Sequence, residues 1–191
     1  FQGGVSNIPE SEIYGAEVEL STYLTDSMIL DANLSWIETE ITADHFALDN
    51  VQSDIATNAL LAQGVNQFSD QVQIARAAEI TNVKGNELAK TPNFTANLAL
   101  TWEGYVENWG ELSNSLQYIY RGDFKHRMFN NPLTDMVPDY EVLDFVLGFT
   151  PQSNNDLRFE FVAKNLTDED GTNARFTDVF LSLIHISEPT R

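Results

Sequence analysis

Apolar side chains occupy every second position in six separate stretches of the sequence. In the first stretch, Ala16, Val18 and Leu20 are separated by acidic residues. The six stretches cover residues 16–24, 30–36, 93–102, 112–120, 142–149 and 157–164. A period of two residues is typical of a β-strand with one apolar and one polar face. The sequence therefore predicts an all-β protein with about six strands of roughly ten residues each, longer than most strands of soluble proteins.

The connections between these stretches alternate between short and long. Residues 25–27, 103–110 and 151–155 make short connections, whereas Glu38–Lys90 and Gly122–Pro138 make long ones. Short connections join antiparallel neighbours. We therefore predict an antiparallel up-and-down meander with tight turns at one end and extended loops at the other.

The longest connection, Glu38–Lys90, has some internal structure of its own. Its Ala- and Gln-rich parts predict short helices at Asp54–Gln63 and Asp70–Glu79, with Ser53 and Ser69 as N-caps and a stop at Gly64. Connections usually have about four to six residues. A segment of this length is therefore expected to be functional or mobile.

The two faces of the predicted strands differ in charge. Among the apolar-face positions none is charged, and only Thr22 and Asn114 are polar. The opposite face carries seven charged residues: Glu17, Glu19, Asp31, Asp144, Arg158, Glu160 and Lys164. A basic side chain on a lipid-facing strand costs about 2–4 kcal/mol at the membrane midplane. The pattern therefore predicts a segment of a transmembrane β-barrel whose apolar face meets lipid.

Aromatic residues near the strand ends favour the same interpretation, because amphipathic rings gather at membrane interfaces. Those expected at the long-loop end are Trp36, Tyr118, Tyr120 and Tyr140, and those at the short-turn end are Tyr23, Trp102, Tyr105, Trp109 and Phe149. A soluble β-sandwich also has one apolar face per sheet and is the alternative fold.

Composition excludes several classes of function. The chain has 10 Lys+Arg and 29 Asp+Glu, a formal charge of −19, which argues against nucleic-acid binding. The absence of Cys excludes disulfides and thiolate metal sites within this chain. No apolar run reaches the roughly 18 residues of a membrane-spanning helix.

Three motifs occur in an order that resembles one known family. Ile13–Leu20 (IYGAEVEL) is similar to a descending strand with a GxExE pattern, and Lys90–Ala96 (KTPNFTA) to an ascending strand that follows a proline. Phe161–Asp168 (FVAKNLTD) is similar to the V-x-NL(T/F)D motif before the last extracellular loop. Together they resemble the C-terminal part of the barrel of TonB-dependent outer-membrane receptors.

The resemblance implies a barrel of about 22 strands with long extracellular loops, short periplasmic turns and an N-terminal plug. The strands seen here would be roughly the sixteenth to the twenty-first of that barrel. Such receptors lie in the outer membrane of Gram-negative bacteria, and import scarce nutrients with energy relayed by the inner-membrane TonB complex. The expected partners are therefore membrane lipid and lipopolysaccharide, a small solute such as a siderophore or saccharide, and the plug and TonB complex through segments outside this chain.

Two other functions remain open at this point. A passive porin-like barrel would share the alternation but lack the plug. A secreted all-β binding module would share the strands but have no membrane contact.

The end of the sequence has a different character. Residues 181–191 read LSLIHISEPTR, which resembles the translation of a sequencing adapter. We therefore expect residues 1–180 to be one barrel segment, truncated at both ends, and residues 181–191 to be a read-through tail.

The sequence predicts no catalytic, cofactor-binding or metal-binding residues, and hence no enzyme. His45 and His126 lie in different loops, and His185 lies in the tail. We expect loop histidines to be solvated rather than ligands.

Two groups of charged residues and one loop carry hypotheses. The polar-face acids Glu17, Glu19, Asp31 and Asp144 are expected to line a wet interior and to contact the plug. The basic residues Arg121, Lys125, His126 and Arg127, near Phe124 and Phe129, predict either an outer-rim patch for lipopolysaccharide phosphates or an ordinary solvated loop. The Glu38–Lys90 loop is expected to be a recognition or lid element.

Overall fold

The computed structural model describes residues 7–177 and 183–187. In chain order its elements are β1 (Ser11–Thr25), β2 (Met28–Ile41), β3 (Phe46–Leu48), α1 (Asn50–Ala62), α2 (Asp70–Ala78), β4 (Ile80–Asn82), β5 (Phe94–Val106), β6 (Gly110–Arg121), β7 (Phe124–Lys125), β8 (Met136–Val137), β9 (Tyr140–Pro151), β10 (Phe159–Ala163), β11 (Thr172–Thr177) and β12 (Leu183–Ser187). Among the described residues, no helix is both long and apolar enough to cross a bilayer.

The main sheet is the predicted antiparallel meander. Its six strands have the order β1-β2-β5-β6-β9-β10, and the described sheet is open, with β1 and β10 at its edges. β1 and β2 are joined by a tight turn as predicted, although Thr25 pairs with Met28 and the turn is Asp26-Ser27 rather than residues 25–27. The short turns lie at one end of the sheet and the long connections at the other.

Strand lengths differ from the predicted ten residues. β1 has 15 residues and β9 has 12, whereas β10 has only five. The longer strands extend past the apolar alternation into polar residues, because backbone pairing continues beyond the apolar band. β10 is an edge strand with one partner, and its ladder stops two residues before Asn165, which has a left-handed φ of 52°.

Register aligns the apolar rows of neighbouring strands. Directly opposed residues of an antiparallel pair lie on the same side of a sheet. One such row runs across five strands through Leu20, Ala32, Leu98, Tyr118 and Leu143. The predicted apolar and polar faces are therefore confirmed as two continuous faces of one sheet.

The apolar face carries exposed large side chains. Val18 is 55% exposed and Phe161 is 60% exposed. The helices α1 and α2 pack mainly against each other, and α2 also contacts β4. Within the described residues, the second layer that a soluble sandwich would require does not cover this face.

Strand register decides on which face each aromatic residue lies, and it corrects part of the predicted aromatic girdles. Trp36 and Tyr120 lie on the apolar face near the long-loop end, where Trp36 meets Tyr14 at 6.0 Å and Tyr120 meets Phe94 at 6.0 Å between ring centroids. Tyr140, however, is opposite Arg121 on the polar face. Three residues predicted as girdle members are on the polar face by register: Tyr23, Tyr105 and Tyr140.

Acidic residues mark the outer end of the apolar face. The Tyr14 hydroxyl donates to Glu38 at 2.5 Å, and the Tyr118 hydroxyl donates to Glu141 at 2.5 Å. Each phenol thus donates a hydrogen bond to a carboxylate that lies just beyond the uncharged part of the apolar face.

The long connection is more structured than predicted. α1 begins at Asn50, with Asp49 rather than Ser53 as its N-cap, because the Asp49 carboxylate accepts hydrogen bonds from the first helical turn. The predicted cap at Ser69 is confirmed, and Gly64 follows the end of α1 with a φ of 82°. β3 and β4 pair with each other and close the base of this helical pair.

The last described residues form one of three two-stranded sheets in the described part of the chain, the others being β3-β4 and β7-β8. β11 pairs with β12, which lies within the suspected tail. The predicted boundary at residue 180 lies outside the described residues, so the read-through origin of the tail stays a prediction.

A matched pair of substitutions tests which solvent meets each face. Leu100 is the middle residue of β5 on the apolar face, and Thr101 is its neighbour on the polar face. In the complete protein reconstituted in phospholipid bilayers, Leu100→Arg should lower the free energy of unfolding by about 2–4 kcal/mol. Thr101→Arg should lower it by about 1 kcal/mol, the scale of the lost hydrogen bond to Ser115.

Urea titration of the bilayer-assembled protein measures both values. Equal costs for the two variants would contradict the assignment of the apolar face to lipid.

Candidate functional site

The polar face of the sheet is joined across strands by side-chain hydrogen bonds. Ser21 donates to Asp31 at 2.6 Å, and Gln117 donates to Asn97 at 3.0 Å. A shallow depression of about 590 Å³ is lined by these residues and Glu19. The depression is therefore a polar, net acidic surface, and the wet interior predicted for this face stays a prediction.

A single arginine stands near the short-turn end of this face. Arg158 pairs with Glu160 at 2.9 Å and donates to Ser113 at 3.2 Å. Its guanidinium lies against Gly148, where an added Cβ would come within 2.5 Å of Nη2. A side chain at residue 148 would therefore require the exposed guanidinium to shift.

The motif around Asn165 ends the last strand of the main sheet. The Asn165 backbone N–H donates to Asp144 at 2.8 Å, and its side chain forms two hydrogen bonds with the backbone of Glu169. Asp144, predicted to line the interior, thus also anchors this turn. The motif has a structural role: it turns the chain after the last strand of the main sheet, at the end where the long connections lie.

The two long connections dock onto each other. We call residues 42–93 the first outer loop and residues 122–139 the second outer loop. The Asn130 amide accepts from the Glu87 N–H at 2.8 Å and donates to the Glu87 carbonyl at 3.1 Å, as a paired strand would. The Asn86 amide donates to the Met128 carbonyl at 2.8 Å.

Arg127 is the centre of an ion network that links the two outer loops. Its guanidinium contacts Asp135 of its own loop at 2.6 Å and Asp49 of the first outer loop at 2.7 Å. The Asp135 side chain is 0% exposed and that of Asp49 is 6% exposed. Buried carboxylates require such partners, because desolvation without a countercharge costs several kcal/mol.

The four basic residues predicted as one outer-rim patch have different surroundings. Arg121 lies over the rings of Tyr140 and Phe124 and donates to backbone carbonyls, and Arg127 is engaged by two carboxylates. The Lys125 ammonium lies 3.4 Å from the Met136 sulfur. The structure therefore gives three of the four side chains partners within the chain rather than an open surface.

His126 lies inside the second outer loop. Burial lowers the pKa of its imidazole below the usual 6.5, and the charge of Lys90 lowers it further. Its Nδ1 is buried without a hydrogen-bond partner. Among the described residues, no group of three or more acidic or histidine side chains is placed to hold a metal ion.

Sequence reasoning missed the residues that join the two outer loops. Asp49 is 78 residues from its partner Arg127, and Asn130 is 43 residues from its partner Glu87, which are separations that no local pattern reveals. The available signal was the Asp-Asn-Val sequence at residue 49, since aspartate is among the preferred N-cap residues.

The comparison with protein families decides the classification. The family model described as TonB dependent receptor-like, beta-barrel matches residues 2–166. The chain belongs to this TonB-dependent receptor barrel family. Its members are outer-membrane receptors and transporters of Gram-negative bacteria. The family resemblance inferred from three motifs is therefore confirmed, as is the all-β barrel fold class.

The chain also resembles a solved structure. The crystal structure of the ferric yersiniabactin uptake receptor FyuA from Yersinia pestis matches with a TM-score of 0.60 and 15% sequence identity. The match covers 88% of this chain and 20% of FyuA, so the chain spans about a fifth of that receptor's length. This likeness shows the shared fold. No curated protein sequence matches the chain.

Removal of the Arg127 charge tests the loop network of this receptor barrel. Arg127→Met leaves Asp49 and Asp135 with hydrogen bonds but without a countercharge, and breaking a buried ion pair costs about 3–5 kcal/mol. We expect faster hydrogen exchange in both outer loops, with the strands unchanged. Arg76→Met, on the exposed side of α2, is the control and should leave exchange as it is. Equal protection in both variants would contradict the network.

The lowered pKa of His126 predicts a pH dependence. The opened loop binds a proton near the usual pKa of 6.5, whereas the docked loop binds it only at lower pH. The stability of the second outer loop is thus fully present above pH 6.5 and falls as pH drops through the lowered pKa.

Hydrogen exchange between about pH 7.5 and about pH 5.5, corrected for intrinsic rates, measures this effect. His126→Gln should flatten the pH dependence, and His45→Gln should retain it. A flat profile in the parent protein would show that burial of His126 does not govern the loop.

Proposed function

We propose that this chain is part of the wall and outer rim of an outer-membrane transporter that imports a small nutrient in a Gram-negative bacterium. The observation that carries the proposal is a single sheet whose two faces suit opposite surroundings. Its uncharged apolar face and its hydrogen-bonded acidic face are aligned row by row across the strands. Such a sheet is suited to separate hydrocarbon from a wet interior.

Partners follow from the two faces of the sheet and from the family. The apolar face supports contact with membrane hydrocarbon, and the polar face supports contact with a plug that fills the interior. Coupling to the TonB complex is proposed for segments of the receptor beyond this chain. Contact with lipopolysaccharide phosphates has weaker support at Arg127, because Asp49 and Asp135 already neutralise it.

The first outer loop is the proposed recognition element. It contains two helices and a closing strand pair, and it docks on the second outer loop at the end of the sheet where long connections gather. The imported solute is a siderophore, a saccharide or a similar nutrient. The FyuA likeness, at 15% identity, does not choose among them.

Two other functions are distinguished by growth and by membrane fractionation. A passive porin-like barrel would move solute without the TonB complex. A secreted all-β module would leave the membrane fraction on carbonate washing without detergent, since nothing would anchor it.

Growth of a deletion strain tests the proposal. A strain lacking the gene should lose growth on one source in a panel of ferric siderophores and saccharides. A strain lacking TonB should lose growth on the same source, because uptake draws on inner-membrane energy. Restoration by the gene in the deletion strain is the control.

Each result has one interpretation. If the gene-deletion strain fails to grow on that source while the strain lacking TonB grows normally, the result would support a passive pore instead. Release of the protein by carbonate would support the secreted module.

A further inference from the structure

The part of the first outer loop between Phe46 and Asn82 forms a compact unit on a narrow stem. We call this unit the lid. The chain enters it through Thr42–Asp44 and leaves it through Val83–Gly85, and β3 pairs with β4 at its base. Its helices α1 and α2 pack against each other. The lid thus has its own internal contacts and joins the sheet through two short chain segments.

The stem contains a residue suited to backbone rotation. Gly85 has a φ of 82°, which non-glycine residues rarely adopt. On the sheet side of the stem, Asn86 and Glu87 are fixed by the second outer loop. On the lid side, the Lys84–Asp44 pair is long at 3.9 Å, and both side chains are at least half exposed.

Backbone hydrogen bonds also cross the stem, from the Gly85 N–H to the Ile41 carbonyl at 2.8 Å and from the Val83 N–H to the His45 carbonyl at 2.9 Å. The stem is thus a narrow, hydrogen-bonded pair of segments between the lid and the sheet.

Among the described residues, the polar contact that joins the lid to the second outer loop is the ion pair of Arg127 with Asp49. It is 2.7 Å long, and its two side chains are 23% and 6% exposed. The remaining contacts between the two outer loops involve residues 86–90, which lie outside the lid.

Both partners keep other contacts when this pair separates. Arg127 keeps Asp135, which accepts from Nε at 2.7 Å and from Nη2 at 2.6 Å. Asp49 keeps the N–H groups of Val51 and Gln52 and the positive end of α1. Separation therefore leaves no buried charge without a partner, which is the usual obstacle to breaking such a pair.

We propose that the Arg127–Asp49 pair is a releasable latch, and that the lid (Phe46–Asn82) opens and closes about its stem while the second outer loop stays docked. The proposal rests on the proposed function only for what the lid covers, the outer mouth of the barrel. The latch itself is a property of this chain.

Distance measurement between two labelled sites tests the latch directly. The chain contains no cysteine, so spin labels at Phe68→Cys in the lid and Leu133→Cys in the second outer loop are specific within it. These side chains are 79% and 80% exposed, so labelling perturbs no packing. Pulsed electron spin resonance on the complete protein in bilayers gives the distance distribution.

The informative variant is Asp49→Ser. Serine retains the N-cap of α1 but removes the charge that Arg127 binds. We expect a longer distance to appear, with the open population raised about five- to thirtyfold. Asp54→Asn removes a charge from the same helix, leaves Asp49 in place, and should give the parent distribution.

A salt titration gives a second test, in which Asp49 and Arg127 are both unchanged. An ionic strength of about 1 M shortens the screening length to about 3 Å and should raise the open population in the labelled parent. If Asp49→Ser does not assemble, this titration decides. A distance distribution in Asp49→Ser that equals that of the parent would overturn the proposal. If that variant does not assemble, a distribution that does not change with salt would overturn it.

The outcome is separable from that of the growth experiment. The distances are measured without any solute, so a latch that fails leaves the transport proposal intact. A failed transport proposal would equally leave a measured latch in place.

Discussion

The constraint on which this structure depends is register between strands. Apolar alternation in one strand defines a face for that strand alone. Only when Ala32 is opposite Leu98, and Leu98 opposite Tyr118, do the separate faces become one surface. A slip of one residue would move an entire strand's apolar side chains to the acidic side. Tight turns such as Asp26-Ser27 fix that register at one end of the sheet.

The opposite end follows different rules. The outer loops have a small buried polar network, in which fully buried Asp135 is compensated by Arg127 and by hydrogen bonds from Asn131 and Thr134. Hydrogen-bonded charges rather than a large apolar core hold these loops together. Such networks favour one arrangement strongly when complete and are costly when a member is missing.

Local patterns were sufficient to predict the sheet and insufficient for the loops. Period-two alternation predicted the strand pairing, and Ser69 and Gly64 predicted one helix start and one helix end. The prediction of Tyr140 as a girdle residue rested on its place near the strand end, whereas the alternation of residues 142–149, extended by two positions, puts it on the polar side. The pattern did not predict the Arg127–Asp49 pair, whose members are 78 residues apart in sequence. Long-range contacts of this kind leave no periodic signal.

The strand pair at the base of the first outer loop has a consequence for how the sheet assembles. Every pairing in the main sheet joins strands adjacent in the meander, yet β2 and β5 are separated by roughly fifty residues, whose closure as a flexible chain would cost about 3 kcal/mol more than a two-residue turn. β3 and β4 pair within that span, so the interval that stays unordered is much shorter. Because the first outer loop folds on itself, β5 can pair with the β1–β2 hairpin almost as if a short turn joined them.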